Sequence, residues 1–167
     1  MSPGHGDPGR PEATRGIGPL AHVGIVVPEL ARAKALFTGF FGCRWAPMGN
    51  GEMPMRIDGR KVSVPLQACW TVEGPPDLEL ICAPKGTLWH TPDRIVLHHM
   101  AYWADDFEAT SARLSAAGFP LELTYDGIEG RVSRFVYHKV PGGPRIELID
   151  ARRRAALEER VRTNAEN

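Results

Sequence analysis

The sequence predicts an α+β fold made of two βαβββ units, with mixed sheets curled around a central cleft. Two internal repeats indicate this architecture. The segment HVGIVVPEL, which starts at His22, aligns without a gap to HMAYWADDF, which starts at His99, and LELI at 78–81 aligns to IELI at 146–149. Repeats of this kind mark equivalent structural units, so we expect a pseudo-twofold axis between the two halves.

The first unit is predicted to span about residues 20–83 of a domain at 19–150. Leu20–Val27 is rich in β-branched residues and is followed by Pro28, which predicts a strand. Residues 29–42 place apolar side chains at helical spacing, with a glycine as the stop, and predict a helix. Residues 43–60 are predicted to be a variable loop, and further strands are predicted at Lys61–Val64, Gln67–Val72 and Leu78–Cys82.

The second unit, about residues 95–150, repeats the same order of elements after a loop at 83–95. Val96–Trp103 predicts a strand, and residues 107–117 predict a helix that Gly118 ends. Three more strands complete the unit, at Leu121–Thr124, Arg134–Val140 and Arg145–Ile149.

The two ends of the chain are predicted to lie outside this domain. Residues 1–18 are dense in Gly and Pro and poor in large apolar side chains. Such a segment buries too little surface to offset the entropy of ordering it, so it is predicted to be a disordered arm. Residues 151–167 are predicted to form a charged surface helix and tail.

The composition excludes several classes of function. The 167 residues carry 20 basic and 20 acidic side chains, so no net charge favours nucleic acid or an anionic membrane. No apolar run approaches the roughly 20 residues that cross a bilayer. The three cysteines are odd in number and lack CxxC spacing, which fits a reducing compartment. We therefore expect a cytoplasmic protein with a small-molecule partner.

The repeated histidines are candidate ligands because of where strand alternation places them. His22 shares one face of its strand with Gly24 and Val26, and His99 shares a face with the residues two and four positions later. The neighbouring His98 is predicted to point the other way, toward the helix side. The repeat alignment therefore selects His22 and His99.

Two carboxylates complete the candidate site. Glu79 and Glu147 each stand inside an otherwise apolar strand, where an uncompensated charge costs several kcal/mol. A single glutamate in a strand is more often a salt-bridge partner or an edge residue, and a single histidine is more often a satisfied core residue. These explanations do not account for glutamate and histidine both recurring at equivalent positions of the two units. We predict one divalent metal held by two imidazoles and two carboxylates, with two of six positions left for water or substrate. These donors do not distinguish Ni, Co, Zn, Mn and Fe.

The residues at these positions, with the phrases HHMAYWADDFEATSARLSAAGF and GGPRIELID, resemble the vicinal oxygen chelate superfamily. That group includes glyoxalase I, methylmalonyl-CoA epimerase, extradiol dioxygenases, and fosfomycin and bleomycin resistance proteins. The resemblance covers about residues 20–150. The His/Glu/His/Glu set is similar to bacterial glyoxalase I, whereas the epimerases have Gln in second place, and bleomycin-binding relatives lack the ligands. The resemblance also implies a homodimer.

The resemblance implies a metal-dependent isomerase, epimerase or lyase that removes a proton beside a metal-chelated carbonyl. Its substrate would carry adjacent oxygens, and Glu147 or Glu79 would be the base. A small-molecule binding or resistance protein is the alternative, and a ring-cleaving dioxygenase is a further one. His138, Trp103 and Trp70 are weaker candidates for contact with the substrate.

Overall fold

The computed structural model describes residues 12–73, 77–125 and 135–166. Within these ranges the helices are α1 (Leu30–Phe41), α2 (Phe107–Ala116) and α3 (Arg154–Thr163), with 3₁₀ turns at Glu12–Thr14 and Ala151–Arg153. The strands are β1 (Ile17–Val26), β2 (Trp45–Ile57), β3 (Arg60–Thr71), β4 (Asp77–Cys82), β5 (Val96–Ala104), β6 (Leu121–Tyr125), β7 (Phe135–His138) and β8 (Arg145–Asp150). No helix in the described ranges is long and apolar enough to cross a bilayer.

The strands form one curled sheet in the order β1-β4-β3-β2-β6-β7-β8-β5, closed as a barrel. Each half of the chain contributes one βαβββ unit, which confirms the predicted fold class. The halves meet twice, through the antiparallel pairs β1–β5 and β2–β6. The barrel interior is therefore lined by both units.

The strand register shows the equivalence of the two units. In the first unit β1 runs parallel to β4, with Gly24 opposite Glu79. In the second unit β5 runs parallel to β8, with Ala101 opposite Glu147. Gly24 and Ala101 each lie two residues after the repeated histidine, so the two sequence repeats correspond in the structure as aligned.

Apolar side chains fill the barrel and hold the helices against its outside. The interior cluster includes Val26, Met55, Leu66, Ile81, Trp89 and Leu123, all buried. The cluster around Ala33 packs α1 on the first unit, and the cluster around Phe107 and Leu114 packs α2 on the second. This packing leaves the polar residues inside the barrel on a fixed scaffold.

The prediction of a loop at 43–60 is wrong, because most of this segment is strand β2. β2 and β3 pair along their whole length as one hairpin, which also merges the two strands predicted at 61–72. The turn is Asp58-Gly59, with φ of 46° and 78°, a dipeptide typical of two-residue hairpin turns. The Gly and Pro residues of β2 precede Met55, where pairing with β6 begins, so they lie on a strand edge that no second strand pairs with, and such an edge tolerates them.

The predicted arm at 1–18 is too long, and its first eleven residues lie outside the described ones. The chain forms a 3₁₀ turn from Glu12, and β1 begins at Ile17, which is buried against the α2 cluster. The Arg113 guanidinium donates to the Arg15 carbonyl. These contacts order the segment despite its composition.

The C-terminal helix α3 is charged and largely exposed, as predicted. Hydrogen bonds also connect this helix, and the residues that follow it, to β2. The Arg160 guanidinium donates to the Met48 carbonyl, and the Asn164 side chain donates to the Pro47 carbonyl. The backbone N–H of Glu166 donates to the Trp45 carbonyl. These bonds hold α3 across the mouth of the barrel.

Candidate metal centre

The structure brings the four predicted ligands together inside the barrel. His22 on β1, Glu79 on β4, His99 on β5 and Glu147 on β8 each offer one ligand atom, and these atoms all lie within 4.8 Å of one another. One chain supplies all four. Both histidines are almost fully buried, and the glutamate side chains are 14% and 6% exposed.

The distances fit a common central ion. His22 Nε2 lies 2.9 Å from His99 Nε2, and the two imidazole nitrogens lie 2.9–3.3 Å from the Oε2 atoms of Glu79 and Glu147. Neighbouring ligands about 2.1 Å from an octahedral metal are about 3 Å apart. Glu147 Oε2 is buried and makes no hydrogen bond within the described residues, although His99 Nε2 is 2.9 Å away. The donors thus converge on a shared point, as ligands of a metal do.

Trp70 on β3 orients two of the four residues. Its indole N–H donates to Glu79 Oε1 at 2.9 Å, which turns Oε2 toward the histidines. Its ring also lies against the His22 imidazole, with 4.5 Å between centroids. Strand register explains the contact with Glu79, because Trp70 is directly opposite Glu79. Contacts that orient ligands in this way typically change metal affinity 10–100-fold when removed.

The prediction that His98 faces the helices is wrong. The β1–β5 register shifts between Gly24, opposite His99, and Ile25, opposite Leu97, so His98 is the extra residue of a β-bulge. A bulge re-aims a side chain relative to simple alternation. His98 Nδ1 lies 2.9 Å from His99 Nδ1, and its ring packs near Tyr137. His98 can therefore fix the orientation of the His99 imidazole.

Gly24 provides the space that the His99 ring occupies. A Cβ on Gly24 would lie 1.9 Å from His99 Cε1 and 2.2 Å from its Nε2. The equivalent residue of the other unit is Ala101, so the two halves differ here. The requirement for glycine arises from this close approach.

We expect Gly24→Ala to weaken metal binding by about 10–100-fold, because the added methyl displaces the His99 imidazole. Competition with a fluorescent chelator measures the change. Gly39→Ala is the matched control, since a Cβ at Gly39 meets nothing within 4 Å. Unchanged affinity in Gly24→Ala would show that His99 is not a ligand in this orientation.

The charges inside the barrel compensate one another. Burial lowers the pKa of His22, but the carboxylates of Glu79 and Glu147 outweigh this effect and raise it to about 10. Burial raises the pKa of both glutamates, but the attraction of the two histidines outweighs burial, and the net result is a lowered pKa for each glutamate. Burial and the nearby His99 lower the pKa of His98 to about 2, so His98 stays neutral. Without metal, a proton on His22 therefore supplies positive charge between the carboxylates.

Metal binding should release this proton. Below about pH 10 the metal-free protein holds His22 as imidazolium, whereas an imidazole that ligates a metal must be neutral. We therefore expect the apparent metal affinity to fall about ten-fold for each unit by which the pH is lowered. Calorimetric titration at pH 7 in buffers of different ionisation enthalpy should show at least one proton released per metal. Release of none would contradict His22 as a ligand.

An apolar cleft of about 190 Å³ opens onto the candidate metal centre. Its walls include Met53, Leu66, Trp89 and Phe135, and the residues Arg153, Ala156, Leu157 and Arg160 on and before α3 line its outer side. Trp70 lies in this cleft, as the prediction of substrate contact requires. Tyr137, which the sequence did not single out, also lines it, opposite Glu147 in the strand register.

The structure does not place His138 or Trp103 among the residues that line this cleft, so it gives these two weaker candidates no support. His138 follows the inward-facing Tyr137 and so points outward to α2, where its Nε2 lies 2.9 Å from the Ser111 hydroxyl. Its Nδ1 donates to the carbonyl of Phe119, three residues after α2. Trp103 packs with Ala21, Ala101 and Ile149 and does not line the cleft, although it shares a strand face with His99. Alternation along β7 therefore decides the position of His138, and packing decides that of Trp103.

The fold and the centre define a class of protein. The family model of the Glyoxalase/Bleomycin resistance protein/Dioxygenase superfamily matches residues 21–137. The match includes more than half of the chain, so this chain belongs to that superfamily, as the resemblance implied. A comparison with curated proteins found no match.

Solved structures share this fold at low sequence identity. Methylmalonyl-CoA epimerase from Mycobacterium tuberculosis is 19% identical with a TM-score of 0.53, over 86% of this chain and 95% of that one. A variant of the Streptomyces coelicolor methylmalonyl-CoA epimerase, in complex with 2-nitronate-propionyl-CoA, is 15% identical with a TM-score of 0.53, over 81% and 98%. A mutant of 4-hydroxymandelate synthase from Streptomyces coelicolor is 17% identical with a TM-score of 0.54, over 81% of this chain and 39% of that one. At such identities the likeness shows the fold alone.

Proposed function

We propose that this protein is a metal-dependent isomerase, epimerase or lyase that removes a proton from carbon next to a carbonyl. The observation that carries this proposal is the convergence of four ligand atoms, from three buried residues and the half-buried Glu79, beside an apolar cleft. A divalent metal bound there would supply Lewis acidity to a substrate with two adjacent oxygens. The homodimer and the cytoplasmic location stay predictions.

Glu147 is the better placed of the two candidate bases. Glu79 is tied to the Trp70 indole through Oε1. The Oε2 atoms of both glutamates contact the two histidines, at 2.9 and 3.2 Å for Glu147. Among the described residues, Glu147 shows no further bond like the one from Trp70, and its side chain lines the cleft. A base must reach the carbon acid, which favours the carboxylate with fewer constraints. Glu147 therefore takes the proton, and Glu79 keeps the role of ligand.

Tyr137 can assist as a neutral hydrogen-bond donor. Burial, together with the negative charge of Glu147 and Glu79, raises the pKa of its phenol well above the usual value. The hydroxyl oxygen lies 3.4 Å from the Trp89 indole N–H, which leaves its own proton to donate. A protonated phenol beside the centre can stabilise negative charge that develops on a substrate oxygen.

Metal-dependent exchange of the α-hydrogen for deuterium tests the proposal. The protein is stripped with chelator, reloaded separately with Ni, Co, Zn, Mn or Fe(II), and incubated in D₂O with α-hydroxyketones, the hemithioacetal of methylglyoxal and α-carboxylated acyl thioesters. Proton NMR should show loss of the α-hydrogen signal with at least one metal. No exchange in any combination would contradict proton abstraction from these classes.

The apolar walls of the cleft also support a second function, in which the protein binds an aromatic small molecule without changing it. Trp70 and Trp89 line the cleft, so such a ligand should quench tryptophan fluorescence. Tight binding that is the same with and without metal, in the absence of exchange, would favour this reading over the enzyme. A ring-cleaving dioxygenase would instead consume oxygen in the presence of Fe(II) or Mn(II) and a catechol.

A further inference from the structure

Arg153, just before α3, carries a polar atom that the proposed chemistry does not use. Its side chain lines the same cleft as Glu79 and Glu147. Its Nε is buried and has no hydrogen-bond partner within the described part of the chain. A buried donor without a partner costs free energy, more so when the group is charged. The Arg153 Nε therefore has a vacant donor position that none of the described residues fills, and a ligand in the cleft could accept its hydrogen bond.

Neighbouring arginines of this segment are satisfied by the protein. Arg152 forms a two-pronged ion pair with Asp150, and Arg154 pairs with Glu158. Arg160, which also lines the cleft, donates to the Met48 carbonyl. Arg153 differs from all three, because its unsatisfied donor belongs to a side chain that faces the cleft.

Charge balance shows what kind of ligand fits. The carboxylates of Glu79 and Glu147 neutralise a divalent metal, and they are the carboxylates among the described residues that line the cleft. Asp150, whose charge interacts with that of Arg153, is already paired with Arg152. A guanidinium presents donors in a planar fork that matches the oxygens of a carboxylate or phosphate. A fixed cation in a low-dielectric cleft attracts such a group more strongly than one in water.

The backbone holds Arg153 in a defined place. The Asp150 side chain accepts from the backbone N–H of Arg152 and sets the turn that follows β8. Beyond Arg153, α3 is fastened to β2 through Arg160 and Asn164. A binding residue supported on both sides loses less entropy when it captures a ligand.

We propose that Arg153 binds an anionic group of the substrate, a carboxylate or a phosphate, that is separate from the oxygens chelated by the metal. This inference rests on the proposed function, since it assumes that the same substrate reaches the metal. It narrows the substrate class to small acids with an apolar segment between the chelating oxygens and the anionic end. The C-terminal helix thereby becomes part of the substrate site.

Calorimetric titration of the metal-loaded full chain tests this proposal. The probes are the diacids from malonate to adipate, their monomethyl esters, and 3-phosphonopropionate with its carboxyl methyl ester. The wild type should bind at least one diacid or the phosphono acid about ten-fold or more tightly than the ester that lacks the second anion. If the gain in affinity over the matching ester is greater for the phosphono acid, the site is assigned to phosphate. If that gain is greater for a diacid, the site is assigned to carboxylate.

Three variants separate this role from general effects of charge. Arg153→Gln should lose the preference for the second anion, whereas Arg153→Lys should keep part of it. Arg154→Gln, with the same change of net charge at the adjacent exposed position, should keep all of it, and it leaves the pair between Arg152 and Asp150 intact. Preference retained in Arg153→Gln, or equally lost in Arg154→Gln, would overturn the proposal.

Metal content, measured in the same samples, separates failure of this inference from failure of the proposed function. Bound metal with no preference in the wild type overturns the Arg153 site and leaves the metal centre standing. If the protein binds no metal but still prefers the second anion in a way that depends on Arg153, the anion site is supported and the proposed metal-dependent function is refuted.

Discussion

Replacing His99 by alanine is expected to remove the metal almost completely. The wild type, purified without chelator, should hold about one divalent ion per chain, and the variant should hold close to none. His99 Nε2 lies 2.9 Å from both His22 Nε2 and Glu147 Oε2. The alanine substitution therefore removes one ligand and leaves an empty space beside the other two. We expect affinity to fall roughly a hundred-fold or more, beyond the 10–100-fold typical of outer-shell partners. Elemental analysis by mass spectrometry measures the content.

His90→Ala is the matched control for this experiment, because His90 is exposed and lies outside the ligand cluster. Thermal denaturation shows whether each variant is folded. Added metal should raise the Tm of the wild type and of His90→Ala but not that of His99→Ala, because a ligand stabilises only a protein that binds it. Full metal content in folded His99→Ala would refute the centre.

Replacing Glu147 by glutamine is expected to lower kcat by about 10²–10⁴-fold, the usual contribution of a positioned base. The amide keeps an oxygen that can ligate metal, but it cannot accept a proton at neutral pH. Part of the metal should therefore remain bound while turnover is lost. Parallel measurement of kcat, on a substrate identified by deuterium exchange, and of metal content gives the two quantities.

Glu79→Gln is the informative comparison for Glu147→Gln, since both variants make the same chemical change in equivalent strands. Glu79 Oε1 accepts the Trp70 indole N–H. An amide has only one oxygen, so glutamine at this position can either accept that bond or ligate the metal, but not do both as the carboxylate does. We expect a smaller loss of kcat, about ten-fold. A greater loss in Glu79→Gln than in Glu147→Gln would reverse the two roles.

The sequence was sufficient to predict the doubly repeated βαβββ fold and the four clustered residues. Alternation along a strand places His22 and its equivalent on one face, and the cost of burying Glu79 and Glu147 without compensation marks them as special. Both inferences depend on local periodicity and on comparison of one half with the other. The register confirms the comparison, with Gly24 opposite Glu79 and Ala101 opposite Glu147.

Other features depended on pairing between distant segments. Strand β2 contains several Gly and Pro residues that locally favour a loop, and it forms because β3 pairs along it through the Asp58-Gly59 turn. His98 turns toward His99 only because a bulge shifts the β1–β5 register. Simple alternation cannot anticipate a bulge, which depends on how two strands meet.

The sequence by itself determined the architecture and the identity of the clustered donors, because both follow from short repeated patterns and from the chemistry of buried charge. Only the tertiary structure decided what surrounds them. It excluded His138 and Trp103 from the cleft and added Tyr137. It also placed Arg153 and residues of α3 along one side of the cleft. These placements arise from contacts between residues far apart in the chain, and no local pattern encodes them.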